Sequence, residues 1–129
     1  MDGPLKNLLV VDLTRVLVGP YCTMILSDLG ARVIKIEAPE TGDDSRKFGP
    51  FVKDYSAYFM SLNRGKESIA LNLKNENDKK IFEKILSKSY ILVENFTPGI
   101  IKHAKNYFHI IGSANTFGKN LMPRIAALM

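Results

Sequence analysis

The chain holds a single cysteine, Cys22, so no disulfide framework can form within it, and this usage fits a reducing compartment. No apolar run approaches the roughly 20 residues that a membrane-spanning helix requires. The opening MDGPLKN has neither the apolar core of a secretory signal nor the Arg- and Ser-rich character of an organelle transit peptide. Glycine-rich phosphate signatures are missing as well. No G-x-G-x-x-G follows the first predicted strand, which excludes a nicotinamide or flavin fingerprint. Arg64-Gly65-Lys66 resembles the end of a phosphate loop, but Met60 stands at its first glycine and Glu67 at its Ser/Thr. No His/Cys/Glu cluster has metal-ligand spacing, and no metal site is expected. Lys and Arg number 18 against 13 Asp and Glu, a net charge of +5. These cations are dispersed rather than set in a stripe with interleaved aromatics, which argues against a nucleic-acid surface. The mild positive field suits a phosphorylated ligand or simply aids solubility.

What is present is the pattern of an α/β domain. The 129 residues suffice for one modest core. Residues 8–13, LLVVDL, form an apolar, β-branched run without polar alternation until Asp12, which predicts a strand buried on both faces of a parallel sheet. Residues 20–29 predict a helix with Tyr21, Met24, Ile25 and Leu29 at helical spacing and Gly30 as its C-terminal stop. Residues 31–37, ARVIKIE, predict a second strand. Residues 39–55 are polar and hold Gly42, Gly49 and Pro50, which predicts a long loop without regular structure; such loops often bind ligand. A short helix over 56–62 and a third strand over 68–74 follow. Residues 77–89 predict an amphipathic helix with Asn75 at its start and Ile81, Phe82, Ile85 and Leu86 on one face. Residues 90–96 predict a fourth strand, after which Thr97 and Pro98 open another helix. This alternation implies a doubly wound, Rossmann-like parallel sheet with flanking helices. Beyond about Lys102 periodicity weakens, so the chain divides into a Rossmann-like portion, 1–102, and a tail, 103–129, to which no structure is assigned.

In such sheets ligands sit outside the carboxyl ends of the strands, against helix N-termini. The loops at that edge supply Val16 and Leu17, Glu37 and Ala38, Leu73 and Lys74, and Asn95, Phe96 and Thr97. Together they offer apolar atoms, a lysine, an amide and two helix N-termini, a set that suits a nucleotide-like ligand; the alternative is that these are ordinary turn and cap residues. Cys22 reads as a small buried helix residue, His103 and His109 as surface residues of the tail, and Asp43 and Asp44 as solvated loop carboxylates.

Four blocks carry a family resemblance: LTRVLVGPYCTMILSDLGARVIKIE, GDDSRKFGPF, SLNRGKESIALNLK and ILVENFTPG. In this order and spacing, over roughly residues 4 to 102, they resemble the N-terminal part of the class III coenzyme A transferases. The first two look most like the succinate–hydroxymethylglutarate CoA-transferase branch; the long loop around Gly42 to Pro50 sets the chain apart from the acyl-CoA racemase branch, the second choice. The resemblance implies coenzyme A contacts at Val16, Leu17, Ala38, Leu73, Lys74, Asn95, Phe96 and Thr97. It implies acyl-CoA and a small carboxylic acid as substrates, no permanently bound cofactor, no membrane partner, and interlocked homodimers. Ala38 replaces an arginine common among relatives, which removes one cationic contact. Leu17 replaces a glutamine of the formyl-CoA enzyme, which speaks against oxalate or formate chemistry.

In the family an aspartate attacks the acyl-CoA thioester, giving a mixed anhydride and CoA thiolate. The thiolate then forms an enzyme thioester, from which the acceptor carboxylate collects CoA. That aspartate follows an S-G-x-G-x-x-G-P segment, which this sequence lacks. No catalytic residue is therefore assigned here, and the expectation is an N-terminal portion that is inactive alone; the alternative is an inactive module that binds coenzyme A or a full-length subunit. The resembling branch is mitochondrial, and other members are cytoplasmic or peroxisomal.

Overall fold

The computed structural model describes residues 3–95 and the backbone of 109–111. Along the chain, β1 (Leu9–Asp12), α1 (Val18–Asp28) and β2 (Arg32–Glu37) lead into a 3-10 turn (Asp44–Lys47) and a small hairpin, β3 (Phe51–Val52) and β4 (Tyr55–Ser56). Next come α2 (Ala57–Asn63), β5 (Glu67–Ala70), α3 (Glu76–Leu86), β6 (Ile91–Val93) and β7 (His109–Ile111). Five strands form one sheet in the order β5-β2-β1-β6-β7, and every pairing in it is parallel. Successive strands run outward on one side of β1 and then return to its other side. This is a Rossmann-type order with its switch point between β1 and β6. The expected Rossmann-like parallel sheet is thus present, and a short piece of the tail supplies its fifth strand.

Parallel neighbours need a crossover between them, and from β1 to β6 the helices α1, α2 and α3 provide it. Their ends follow from local chemistry. Asn75 Oδ1 accepts the amides of Asn77 and Asp78 and starts α3. Gly30, at φ +97°, follows Leu29, the C-terminal cap of α1, where a left-handed turn favours glycine. Gly19 is demanded by proximity, since a Cβ there would meet the Thr14 side chain at 2.2 Å.

The core has two parts, divided by the alternation of side chains along each strand. Val11, Leu13, Ile36, Leu71, Leu86 and Leu92 pack together, with Ile34, Ile69, Phe82 and Ile85 against them, on the α3 side. Val10, Ala31, Val33 and Val93 pack with Leu26 of α1 on the other. Both faces of β1 are buried, as its composition predicted.

Four expectations change. The buried face of α1 is Gly19, Pro20, Thr23, Met24 and Ser27, while Tyr21, Ile25 and Leu29 are 51%, 41% and 41% exposed. The reason lies in the sheet, which offers α1 polar groups at its carboxyl end. The loop of 39–55 is not irregular, for it holds the 3-10 turn and the hairpin. The third strand begins at Glu67 and ends at Ala70 rather than at Lys74. The Asn72 amide turns to Asp78 Oδ2 instead of continuing the ladder. Cys22 is half-buried rather than buried, and burial raises its thiol pKa. The helix expected at Thr97 lies outside the described residues.

Candidate functional site at the carboxyl ends of the strands

An open cleft of about 290 Å³ lies over the carboxyl ends of β1, β2 and β5. Its walls are Leu13, Thr14 and Arg15 after β1, Lys35 to Glu37 at the end of β2 with Ala38, Pro39, Gly42 and Asp43 beyond it, and Leu71 to Lys74 after β5. Of the residues singled out from sequence, Glu37, Ala38, Leu73 and Lys74 line this cleft. Val16 and Leu17 follow directly on Arg15 at its rim. Asn95 does not line it but grips it: Arg15 N–H donates to Asn95 Oδ1 at 3.1 Å, and Asn95 Nδ2 donates to Arg15 C=O at 3.0 Å. Phe96 and Thr97 lie outside the described residues.

Beneath the cleft is a charged network that the sequence did not advertise. Lys35 lies mid-strand in β2 with its side chain 1% exposed. Its ammonium donates to Thr14 C=O at 2.7 Å and sits 2.9 Å from Asp43 Oδ2, a charge contact that is the only partner of that oxygen among the described residues. Asp43 is therefore not the solvated loop residue expected; it is 0% exposed at the side chain, drawn in because a lysine inside a sheet must be paired. Asp43 Oδ1 accepts from Ser45 N–H, Ser45 Oγ and Val16 N–H. Burial pushes the Asp43 pKa up, but the two Ser45 donors and Lys35 win and hold it below the ordinary range. Asp44, by contrast, is exposed and lies 3.7 Å from Arg15.

Glu37 repeats the pattern. It accepts two bonds of 2.7 Å from Arg46, one of 2.7 Å from Ser68 Oγ, and one of 2.9 Å from the Asp43 amide. Burial acts to raise its pKa, yet the bonds from Arg46, Ser68 and Asp43 bring it down to about 2. Arg46 in turn stacks 3.7 Å over the Phe59 ring of α2, so one guanidinium ties the 3-10 turn to β2 and α2.

A second buried pair lies on the same side. Asp12 accepts from Thr14, from Thr23 Oγ1 at 2.6 Å and from Lys66 Nζ at 3.1 Å. Lys66 also donates to Pro20 C=O and Asn63 Oδ1, both at 2.9 Å. Burial, opposed by Asp12, draws the Lys66 pKa below its usual range.

A partly apolar cleft is bordered by the cations Arg15 and Lys74, and its buried carboxylates are committed to internal partners. Among the described residues no group of His, Cys, Asp and Glu is set to hold a metal ion, and no helix is long and apolar enough to cross a membrane. Lys35 and Asp43 were missed as site residues, and Glu37 was placed at the edge without the partners that bury it. The available signal was the alternation in ARVIKIE, where Lys35 and Glu37 share a face of a strand otherwise built for burial.

Comparison with known proteins bears on this geometry. The sequence profile described as CoA-transferase family III matches residues 5–106. The chain is 59% identical over 99 residues to an acetyl-CoA:oxalate CoA-transferase of Acetobacter aceti, covering 77% of this chain and 25% of that protein. It is 50% identical over 97 residues to the human succinyl-CoA:glutarate CoA-transferase, covering 74% of this chain and 22% of that one. A crystal structure of a CAIB/BAIF family protein from Brucella suis superimposes with a TM-score of 0.73 at 39% identity, covering 83% of this chain and 30% of that one. The chain thus spans about a quarter of the length of the curated relatives it matches. Their names share coenzyme A and differ in the acid, oxalate in one and glutarate in the other, so similarity does not support excluding oxalate from Leu17 alone.

Proposed function

The chain belongs to CoA-transferase family III, and from that premise we propose that it forms the N-terminal acyl-CoA-binding portion of an enzyme moving coenzyme A from an acyl-CoA, such as succinyl-CoA, to a carboxylic acid. Ala38, Leu73 and Lys74 bind from the cleft walls, and Val16 and Leu17 from the rim. Asn95 holds that rim, and Phe96 and Thr97 are further coenzyme A contacts in this reading. The reaction runs through a covalent aspartyl intermediate whose carboxylate comes from outside these residues. This chain alone binds coenzyme A weakly and turns nothing over. The observation that carries the reading is the cleft itself, which lies over the strand ends of a chain matched to this family.

The test is cooperative unfolding of the 129-residue chain with and without coenzyme A. Ligand at ten times its Kd stabilises by about 1.4 kcal/mol, a readable rise in midpoint. A rise supports the binding role, and an unchanged midpoint at saturating concentration overturns it. Transfer of CoA from succinyl-CoA to any acid by the purified chain would overturn the claim that the nucleophile lies elsewhere.

A second reading, that this portion also binds a second subunit, is favoured by Tyr21, Ile25 and Leu29, which expose one apolar stripe along α1. It fits the family's interlocked homodimers and is checked by light scattering of the chain against a Tyr21→Lys/Ile25→Lys variant. A mitochondrial location rests on the branch resemblance alone and is checked by imaging the tagged natural product.

A further inference from the structure

Val16 is the conformational anomaly of the site. It has φ +72°, in the left-handed region that a β-branched residue occupies only when its surroundings impose it. Three consecutive residues of this loop are held by side chains rather than by the sheet ladder. Lys35 Nζ binds Thr14 C=O, Asn95 brackets the Arg15 peptide groups, and Asp43 Oδ1 accepts Val16 N–H at 3.1 Å. Only the last bond acts on the strained residue itself. Its acceptor is fixed in turn, because Ser45 donates twice to the same oxygen and Glu37 holds the Asp43 amide.

We infer that Asp43 is a positioning residue: its carboxylate imposes the left-handed turn at Val16 and thereby sets the rim residues Val16 and Leu17 against the cleft. Two separate jobs fall to the two oxygens. Oδ2 neutralises Lys35, which is a matter of stability. Oδ1 shapes the loop, which is a matter of ligand recognition. An asparagine can keep the second job while losing the first, since its amide oxygen still accepts from Val16 N–H. The effect on ligand affinity rests on the acyl-CoA reading above; the effect on the Val16 amide does not.

The experiment compares Asp43→Asn with Asp43→Ala in the 129-residue chain. It measures hydrogen exchange at the Val16 amide by NMR and the Kd for coenzyme A. Both substitutions are repeated in a Lys35→Met background, where no buried cation is stranded and the alanine variant is spared that cause of unfolding. Asp43→Ala is expected to speed Val16 exchange about tenfold and weaken coenzyme A about fivefold, the scale of one hydrogen bond. Asp43→Asn is expected to lower the melting temperature while keeping both within about twofold of the unsubstituted chain. Equal protection of Val16 in the two variants overturns the inference, and so does an asparagine variant that loses as much as the alanine one. Failure of the unsubstituted chain to bind coenzyme A overturns the acyl-CoA reading instead, and the amide comparison still decides the role of Asp43.

Discussion

The two faces of this sheet are built from the same strands and solve different problems. On the α3 side, Val11, Leu13, Ile36 and Leu92 meet Leu86 in an apolar layer. On the α1 side, Val10 and Val33 give way toward the carboxyl ends to Asp12, Thr14, Lys35 and Glu37, all buried. Alternation makes this possible, since successive residues of VVDLT and VIKIE point to opposite faces. The difference teaches where stability and recognition are stored. One face holds the domain together without direction. The other holds it together only if each charge meets its partner, and one such pair, Lys35 with Asp43, lines the cleft.

The sharpest way to break the comparison is to remove one charge from the polar face. Asp12→Ala strands the Lys66 ammonium and is expected to cost about 3–5 kcal/mol in urea unfolding. Replacing the pair together, Asp12→Val with Lys66→Met, should recover at least about half of that loss. A paired change as costly as the single one would mean that packing, not charge, holds this face. On the apolar face Leu92→Ala is expected to cost about 2–4 kcal/mol, and no companion substitution of a charged residue should rescue it.

Acid separates the faces further. A carboxylate held below its unfolded pKa contributes stability that is complete above that value, near 4.3 for glutamate, and lost as pH falls through the folded one. Glu37, at about 2, and Asp43, shifted the same way, therefore make the polar face fail between roughly pH 5 and 2. Arg46→Met leaves burial of Glu37 less opposed, raises its pKa and should move acid unfolding, followed by circular dichroism, to higher pH. The smallest effect belongs to the start of α3, where Asn75→Ala removes a cap and should cost about 1 kcal/mol with no change in the acid profile.

These contrasts mark what could be read from the sequence. Strands near 8–13, 31–37 and 90–96, the α3 helix with its Asn75 start, and Gly30 after α1 follow from propensity and local hydrogen bonds. They were legible because their causes lie within a few residues. The inverted face of α1 was not, since Tyr21, Ile25 and Leu29 have the spacing of a buried stripe. Only the sheet's polar end explains why Gly19, Thr23 and Ser27 are buried instead. Asp43 was equally hidden: in a polar loop it reads as solvated, and what buries it is a lysine eight residues earlier. Among the site residues, Ala38, Leu73 and Lys74 could be placed from topology, because parallel strands bring their loops to one edge. The network that shapes that edge depends on pairings between distant segments, which periodicity does not encode.

Lys66 links this network to the order in which the molecule assembles. Its three N–H donors go to Asp12 at the end of β1, Pro20 in the first turn of α1 and Asn63 in α2. The ammonium can leave water only once all three acceptors are in place, and Asp12 is 54 residues away along the chain. A contact that needs three elements docked and closes so long a loop is expected to form after the rate-limiting step, so that its loss shows in the unfolding rate. In stopped-flow kinetics Lys66→Met should leave the refolding limb nearly unchanged and steepen the loss through faster unfolding. What this lysine governs is how long the strand-end edge persists once made, a lifetime rather than a speed of arrival.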